Sequence, residues 1–218
     1  MRLVQLRVVQ FRNHRYSEIA PSPGVTVLVG DNAQGKSSLL EAAQVAATAR
    51  SFRARRDGEM IMHGEAWARV RALVERSGRR EEISVALRRE GDGERDRVAR
   101  DLRVNGVSVR RAELFGRFLC VLAAPDDVEV VTGSPRHRRR LCDLLLAQIS
   151  PAYYDTAQRY ARALAQRNHL LRLRGWGLEA WDEQIAVLGA AITARRRRIV
   201  RRLAAAVQPI YAALSGGG

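Results

Sequence analysis

The stretch Gly30–Leu40, GDNAQGKSSLL, places strong limits on how this chain can fold. Its first eight residues match the P-loop pattern G-x-x-x-x-G-K-[ST], in which backbone N–H groups surround the phosphates of a nucleotide. Such a loop lies between a buried strand and a helix whose N-terminus faces the phosphates. The β-branched segment Val25–Val29 predicts that strand, and the alanine- and leucine-rich segment 37–49 predicts that helix. The sequence therefore predicts an α/β nucleotide-binding fold.

Lys36 is the single lysine among 38 Lys and Arg residues. Lysine differs from arginine in carrying a compact ammonium on a flexible stem, which suits a phosphate site better than a planar fork does. A glycine-rich turn that matches the pattern by chance is the alternative, but the flanking segments argue against it. We predict a nucleotide as the ligand and Ser37 as a ligand of Mg²⁺. The predicted phosphate-binding residues are Gly30, Asp31, Asn32, Ala33, Gln34, Gly35, Lys36, Ser37 and Ser38.

The chain has a formal net charge of +15 and an isoelectric point near 11.3. The excess is uneven, because residues 134–218 hold 15 arginines against 5 acidic residues, whereas residues 1–133 hold 23 basic against 18 acidic residues. A coding preference for arginine explains arginine in place of lysine, but not the excess of basic over acidic residues. We therefore predict a nucleic-acid partner. A basic surface that only keeps the protein soluble is the alternative.

No apolar run approaches the roughly 18 residues that a membrane span needs, and the N-terminus lacks the pattern of a signal peptide. Cys120 and Cys142 lie in apolar surroundings and predict buried thiols in a reducing compartment. We expect a cytoplasmic, nucleoid-associated protein without a membrane partner.

Two regions of different character follow one another along the chain. Residues 1–133 predict a mixed α/β lobe, and residues 134–218 predict a helical lobe that contains an antiparallel helix pair. The strands are predicted at Arg2–Phe11, Tyr16–Ile19, Val25–Val29, Trp67–Glu75, Ile83–Arg89 and Phe118–Ala124, with an Asn105-Gly106 hairpin turn. The helices of the second region are predicted at Pro135–Gln148, Pro151–Arg174 and Glu179–Ala213.

Arginines cluster on two of these helices. The last helix carries six arginines among eight residues, opposite an apolar stripe, with no acidic residue to offset them. A solvated face is the alternative to phosphate contact, and the excess of charge favours contact. The predicted DNA-binding residues are Arg136, Arg138, Arg139, Arg195, Arg196, Arg197, Arg198, Arg201 and Arg202.

Three segments outside the P-loop resemble the RecF proteins. Phe11-Arg12-Asn13 follows a strand and precedes the P-loop by about twenty residues, as in that family. The stretch Pro125–Asp143 is similar to the family signature, except that Leu141 stands where RecF proteins usually have Phe or Tyr. Residues 162–172 also resemble the helical segment of the family, so the resemblance extends over the whole chain.

The resemblance implies an ABC-type ATPase head related to the chromosome-maintenance heads. It implies ATP-dependent homodimerisation, binding of double-stranded and gapped DNA, and SOS-linked replication and repair. RecR, and through it RecO and RecA, are the implied protein partners, with RecA being loaded at gaps. Arg12 and Asn13 are implied to lie near the nucleotide.

Two motifs of an ABC-type ATPase are not evident in this sequence. Residues 214–218, LSGGG, lack the glutamine and the helix of a signature loop, and Pro125 separates the apolar run 118–124 from Asp126 and Asp127, unlike a Walker B strand. We expect the N-terminal part of a longer protein, with negligible ATP hydrolysis by this chain alone. The alternatives are a self-contained P-loop NTPase or kinase that uses Asp126 or Asp127 for Mg²⁺, and a non-catalytic DNA-binding module that ATP helps to fold.

Overall fold

The computed structural model describes residues 1–91, 97–173 and 176–216. The chain forms two compact units, Met1–Ala123 and Ala124–Gly218. We predicted the boundary ten residues later, after residue 133. The intervening residues form a 3₁₀ turn, Pro125–Val128, and a short helix, Glu129–Thr132, and these elements belong to the second unit.

The first unit contains a six-stranded antiparallel sheet in the order β2-β1-β3-β4-β5-β6. Its strands are β1 (Arg2–Phe11), β2 (His14–Ile19), β3 (Trp67–Arg76), β4 (Arg79–Glu90), β5 (Arg97–Val104) and β6 (Val107–Ser108). Its helices are α1 (Lys36–Thr48) and the short α2 (Arg111–Leu114), with a 3₁₀ turn at Asp57–Met60. The predicted fold class, a P-loop ATPase lobe followed by a helical lobe, is confirmed.

The core of this unit lies between one face of the sheet and α1. Alternate residues of the strands point to opposite faces, and those facing the helix, such as Val8, Val70 and Val85, are fully buried. Ala42 and Val45 of α1 meet them. Small residues on α1 allow a close approach to the sheet, which holds the N-terminus of α1, and the P-loop before it, in a defined position.

The sequence predicts two hairpins, one through the polar link Ser77–Arg80 and one at Asn105-Gly106, and both are present. Ser77 and Gly78 join β3 to β4 and have φ angles of 50° and 76°. Asn105 and Gly106 join β5 to β6 with φ angles of 50° and 80°. Two successive positive φ angles are typical of a tight hairpin turn, and Gly and Asn adopt them at low cost.

Two predicted buried strands are wrong. Val25–Val29 and Phe118–Ala124 pair with no strand in the described residues, and the Val25, Val29 and Val121 side chains are each more than 85% exposed. Both segments have strand-like composition, but a strand forms only when another backbone satisfies its N–H and C=O groups. Leu28 of the first segment and Phe118 and Cys120 of the second still pack against the core.

The second unit contains α3 (Glu129–Thr132), α4 (Pro135–Ile149), α5 (Pro151–Arg172) and α6 (Leu178–Leu214). The predicted antiparallel pair is α5 and α6. Arg167 forms an ion pair with Asp182, and further along the Tyr160 ring lies against Gly189. Residue numbers therefore fall along α5 as they rise along α6. The sequence also predicts Gly175-Trp176-Gly177 as the link between these helices, and Gly175 lies outside the described residues.

Asp143 of α4 joins the three long helices. Its carboxylate accepts a hydrogen bond from the buried Tyr153 hydroxyl at 2.5 Å and two from Arg196 at 2.7 Å. Burial, together with the hydrogen bond to Asp143, raises the pKa of Tyr153, so this phenol stays protonated. Beyond Leu203 the apolar side chains of α6, including Val207 and Ile210, are exposed. The predicted apolar stripe therefore packs only along the first part of the helix.

Cys120 and Cys142 are free thiols, the first half-buried and the second buried. Burial raises the pKa of both thiols, which favours the unreactive protonated form. Among the described residues, no helix is both long and apolar enough to span a bilayer.

Candidate nucleotide-binding site

The last two residues of the P-loop, Lys36 and Ser37, begin α1, and Gly35 stands directly before the helix. Gly35 has a left-handed φ of 97°, and its carbonyl accepts from the N–H groups of Ser38 and Leu39. The Lys36 ammonium donates to the carbonyls of Gly30 and Asp31 at 2.6 and 2.7 Å. The flexible lysine stem thus curls back over the loop, and this position lets one ammonium serve both the loop and a phosphate oxygen.

The turn between β1 and β2 fastens the P-loop from the side. The Asn13 amide donates to the carbonyl of Ala33 at 2.9 Å, and His14 Nε2 lies 3.0 Å from the carbonyl of Gly35. Ser17 contacts the other ring nitrogen of His14 at 2.7 Å. Asn13 was predicted to lie near the nucleotide, whereas His14 was not singled out. Its one sequence signal is that it follows Asn13 directly.

We expect Gly35→Ala to weaken ATP binding by about tenfold or more. A Cβ at this position would lie 2.3 Å from His14 Nε2 and 2.7 Å from Asn13 Oδ1, and a left-handed φ by itself costs a non-glycine residue about 1–3 kcal/mol. Gly64→Ala is the matched control, because Gly64 has a φ of 81° with nothing within 4 Å of the added methyl. Calorimetric titration with ATP measures both variants. Equal affinities would show that the contact with the β1–β2 turn does not matter.

Arg12 and Arg53 meet at one buried carboxylate, that of Glu41 on α1. Arg12 donates to both Glu41 oxygens at 2.9 and 2.7 Å, and Arg53 donates to one at 2.8 Å. Ser51 donates to the same carboxylate at 2.5 Å, and Arg53 also reaches the hydroxyl of the buried Ser38 at 2.9 Å. The network therefore links the β1–β2 turn, the P-loop helix and the basic segment that follows it.

Electrostatics keeps Glu41 ionised. Burial alone would raise its pKa, but hydrogen bonds from Arg12, Ser51 and Arg53 outweigh burial and hold the pKa below its usual range. Arg12 itself has a left-handed φ of 56°, an unusual backbone conformation for a non-glycine residue. The Glu41 pairing, with a backbone bond from Arg12 N–H to the carbonyl of Met60, holds the Arg12 side chain at the P-loop.

These elements surround a cavity of about 760 Å³. That volume lies within the roughly 300–1,000 Å³ that small-molecule sites occupy. The lining is rich in positive charge and in backbone from the P-loop, which suits a nucleotide polyphosphate. The lining residues are Arg12, Asn13, Asn32, Ala33, Gly35, Lys36, Ser37, Ser38, Arg53, Gly58, Glu59, Ile61, His63 and Arg89.

The structure brings most of the predicted nucleotide-binding residues to this cavity. Gly30 and Asp31 contribute carbonyls to Lys36 instead of lining it, and the Gln34 side chain is exposed. Ser37 and Ser38 both line the cavity, and the Ser38 hydroxyl accepts a hydrogen bond from Arg53. Neither Glu41 nor Arg53 was predicted from the sequence, because their pairing depends on the fold and leaves no periodic signal.

The predicted DNA-binding arginines fall into two groups. Arg196 is held by Asp143, Arg138 donates to the carbonyls that end α3, and Arg195 donates to Ser150. The others have exposed side chains without a partner among the described residues: Arg136, Arg139, Arg197, Arg198, Arg201 and Arg202. DNA contact stays a prediction for both groups, and the second group is the better placed for it.

A family model described as an AAA domain matches residues 5–122, more than half of the chain, and the chain belongs to this family. Fold and site together define a P-loop ATPase head of the ABC type. Over nearly its whole length the chain is also similar to RecF. It is 39% identical over 97% of its residues to the DNA replication and repair protein RecF of Synechococcus sp. (strain JA-3-3Ab). The predicted resemblance to the N-terminal portion of RecF is confirmed.

Solved structures agree with this assignment. Two structures of the recombination mediator protein RecF of the RecFOR pathway, one of them with ATP, each match with a TM-score of 0.84 and 31% identity. They cover 93% and 92% of this chain. The chain spans 56% of the Synechococcus relative and 55% and 54% of the two solved chains.

Proposed function

We propose that this chain is the ATP-binding head of a RecF-type DNA replication and repair protein. The cavity around the P-loop carries the proposal, since Lys36, Arg12 and Arg53 line it beside the N-terminus of α1. The similarity to RecF, which extends over almost the whole chain and includes a structure with ATP, supports ATP as the nucleotide. Magnesium fits the same cavity through the Ser37 hydroxyl.

Each group of residues in the site has its own role in binding. The N–H groups of the loop and of the first turn of α1 donate hydrogen bonds to phosphate oxygens, and the dipole of α1 favours the negative charge of those oxygens. Lys36 neutralises the outer phosphates, and Ser37 helps to hold Mg²⁺, which offsets the remaining phosphate charge. Arg12 and Asn13 form the opposite wall, and Glu41 keeps Arg12 and Arg53 in place.

The wider role includes binding of double-stranded and gapped DNA, ATP-dependent homodimerisation, and action with RecR, RecO and RecA in SOS-linked repair. The exposed arginines of α4 and α6 support DNA binding, because phosphates are the ligands that clustered guanidinium groups pair with most readily. A cytoplasmic, nucleoid-associated location follows from the same role.

ATP binding and turnover by this chain, measured with and without duplex DNA, test the proposal. We expect binding without sustained turnover. Sustained turnover that Asp127→Ala abolishes would instead establish a self-contained P-loop enzyme. In the structure the Asp127 carboxylate accepts from the N–H of Ala124 at 2.7 Å and so caps the 3₁₀ turn Pro125–Val128. Unchanged self-association with and without ATP would favour the non-catalytic module.

We expect Arg197→Gln with Arg201→Gln to weaken duplex binding by about tenfold. Both side chains are exposed and lie one helical turn apart on α6. Each lost phosphate contact reduces the slope of log K against log salt by about 0.9, so the slope should fall by nearly 2. Arg159→Gln with Arg162→Gln removes the same charge from exposed positions of α5 and is the control. Fluorescence anisotropy of a labelled duplex at several salt concentrations gives the affinity and its salt slope. Equal losses of affinity in the two double variants would assign the effect to net charge.

A further inference from the structure

His14 contacts the end of the P-loop from outside the loop. It is the first residue of β2, and its backbone pairs with that of Phe11 on β1, whose side chain is fully buried. The strand pairing therefore fixes the point from which the imidazole extends. The ring lies in the space that a Cβ of residue 35 would occupy, with Nε2 3.0 Å from the Gly35 carbonyl oxygen. His14 thus reaches the nucleotide site without lining the cavity.

Hydrogen-bond chemistry fixes the direction of both bonds that His14 makes. A carbonyl oxygen accepts and never donates, so Nε2 carries a proton and donates it to Gly35. In a neutral imidazole the other nitrogen is then an acceptor, and the Ser17 hydroxyl donates to it at 2.7 Å. Ser17, His14 and Gly35 therefore form one chain of hydrogen bonds that runs from β2 to the P-loop.

The planarity of the peptide group lets this bond control the direction of an N–H group. The Gly35 carbonyl and the Lys36 N–H belong to one trans peptide, so they point in opposite directions. His14 holds the carbonyl, and the N–H groups of Ser38 and Leu39 donate to the same oxygen. The Lys36 N–H therefore points away from His14. It lies in the first turn of α1, where the helix offers no acceptor, and a phosphate oxygen is its natural partner.

Asn13 acts in the same way on an earlier peptide of the loop. Its amide donates to the Ala33 carbonyl at 2.9 Å, which fixes the direction of the Gln34 N–H. Ala33 has a left-handed φ of 65° and Gly35 one of 97°. Left-handed residues of this kind turn the N–H groups of a loop into a concave anion site. Because the left-handed conformation is unfavourable for alanine, contacts from outside the loop are needed to maintain it.

We propose that His14 is a positioning residue of the nucleotide site, which keeps the P-loop in its binding conformation before the nucleotide arrives. This role rests on the nucleotide binding proposed above. His14 acts through the Gly35 peptide and touches no phosphate. A loop that is already ordered loses less freedom on binding, so the bond from His14 increases the affinity. Without that bond only a fraction of the molecules hold the loop in the binding conformation, and the apparent affinity falls in proportion.

Asparagine and glutamine at position 14 separate the two bonds of His14. The amide nitrogen of glutamine is as many bonds from Cβ as Nε2 is, so it donates to Gly35. The shorter amide of asparagine matches Nδ1 and reaches only Ser17. We expect His14→Asn to weaken ATP binding by about fivefold, and His14→Gln to stay within about twofold of the wild type. Calorimetric titration measures both variants.

ADP provides a control on how His14 acts. The N–H groups of a P-loop contact the α- and β-phosphates, which ADP and ATP both carry. The loss of affinity in His14→Asn should therefore be the same factor for the two nucleotides. A larger loss for ATP would show that His14 contacts the terminal phosphate itself, and would overturn the positioning role.

Hydrogen exchange of the nucleotide-free chain tests the same bond without a ligand. The N–H groups of Ser38 and Leu39 donate to the Gly35 carbonyl, so a carbonyl that has lost its outside contact protects them less. In His14→Asn we expect faster exchange in a peptide that covers residues 36–40, and unchanged exchange in the hairpin of β3 and β4. His14→Gln should exchange like the wild type in both segments.

Three results would overturn the inference: an unchanged ATP affinity in His14→Asn, equal losses in the asparagine and glutamine variants, or faster exchange in both segments. The last of these would assign His14 a general structural role. Failure of the wild-type chain to bind ATP would overturn the proposed function instead. The exchange measurement would then still show whether His14 holds the loop.

Discussion

Glutamine in place of Glu41 is expected to lower the free energy of unfolding of the first unit by about 3 kcal/mol at pH 7. Removing one partner of a buried ion pair costs about 3–5 kcal/mol, because the remaining charge stays buried without compensation. The Glu41 side chain is fully buried, whereas its partners Arg12 and Arg53 are 19% and 37% exposed. Water can reach them in part, so the lower end of the range applies. Urea unfolding followed by Trp67 fluorescence, with the other tryptophans replaced, measures this unit alone.

Glu75→Gln is the matched control for this prediction. Glu75 also pairs with two arginines, Arg2 and Arg80, but its side chain is 28% exposed and the arginines are more so. Exposed pairs contribute about 0–1 kcal/mol, and we expect a change below 1 kcal/mol. A similar loss of stability in both variants would show that the burial of Glu41 has no special effect.

The loss caused by Glu41→Gln should depend on pH. The pKa of Glu41 is lower in the folded chain than its ordinary value of 4.5, so the folded state binds this proton less readily than the unfolded state. The stabilisation by the carboxylate is therefore complete above pH 4.5 and is lost as the pH falls through the folded pKa. The difference in stability between wild type and Glu41→Gln should be constant from pH 7 to about pH 5 and should shrink below that. A constant difference down to pH 3 would contradict this assignment.

Alanine in place of Lys36 is expected to weaken ATP binding by about 100-fold. Hydrogen bonds that involve a charged group contribute about 1.5–3 kcal/mol, and 1.4 kcal/mol corresponds to a factor of ten in affinity. The stability of the chain should change by less than 1 kcal/mol, because the two bonds from Lys36 to loop carbonyls are exposed to solvent. Calorimetric titration with ATP measures the change in affinity. Urea unfolding measures the change in stability.

Two further variants show whether charge alone matters at this position. Lys36→Arg keeps the charge but replaces the compact ammonium with a planar fork, and we expect a loss of about tenfold. Arg15→Ala removes a positive charge from β2, where the side chain is 84% exposed, and should leave ATP affinity within twofold. An unchanged affinity in Lys36→Ala would mean that the nucleotide does not use the P-loop.

The local sequence pattern predicted the structure correctly where a segment forms its backbone hydrogen bonds within itself, as a helix does, or where a turn depends on adjacent residues. The helices 135–149 and 151–172 begin at prolines that the sequence marks clearly, and the hairpin at Asn105-Gly106 depends on two adjacent residues. The P-loop likewise is contained within eight residues. The prediction of a strand at Val25–Val29 was wrong because a strand must pair with another strand, and the composition of the segment does not show whether such a partner is in reach.

The sequence by itself determined the position of the nucleotide site, the antiparallel helix pair and the concentration of arginine in the second unit. Only the tertiary structure decided what those arginines contact. It joined Glu41 to Arg12 and Arg53, assigned Arg196 to Asp143, and left the Nε atoms of Arg69 and Arg71 without an acceptor among the described residues. The physical reason is range: helix periodicity and turn chemistry act over a few residues, whereas ion pairing depends on which side chains the packed core brings together from distant parts of the chain.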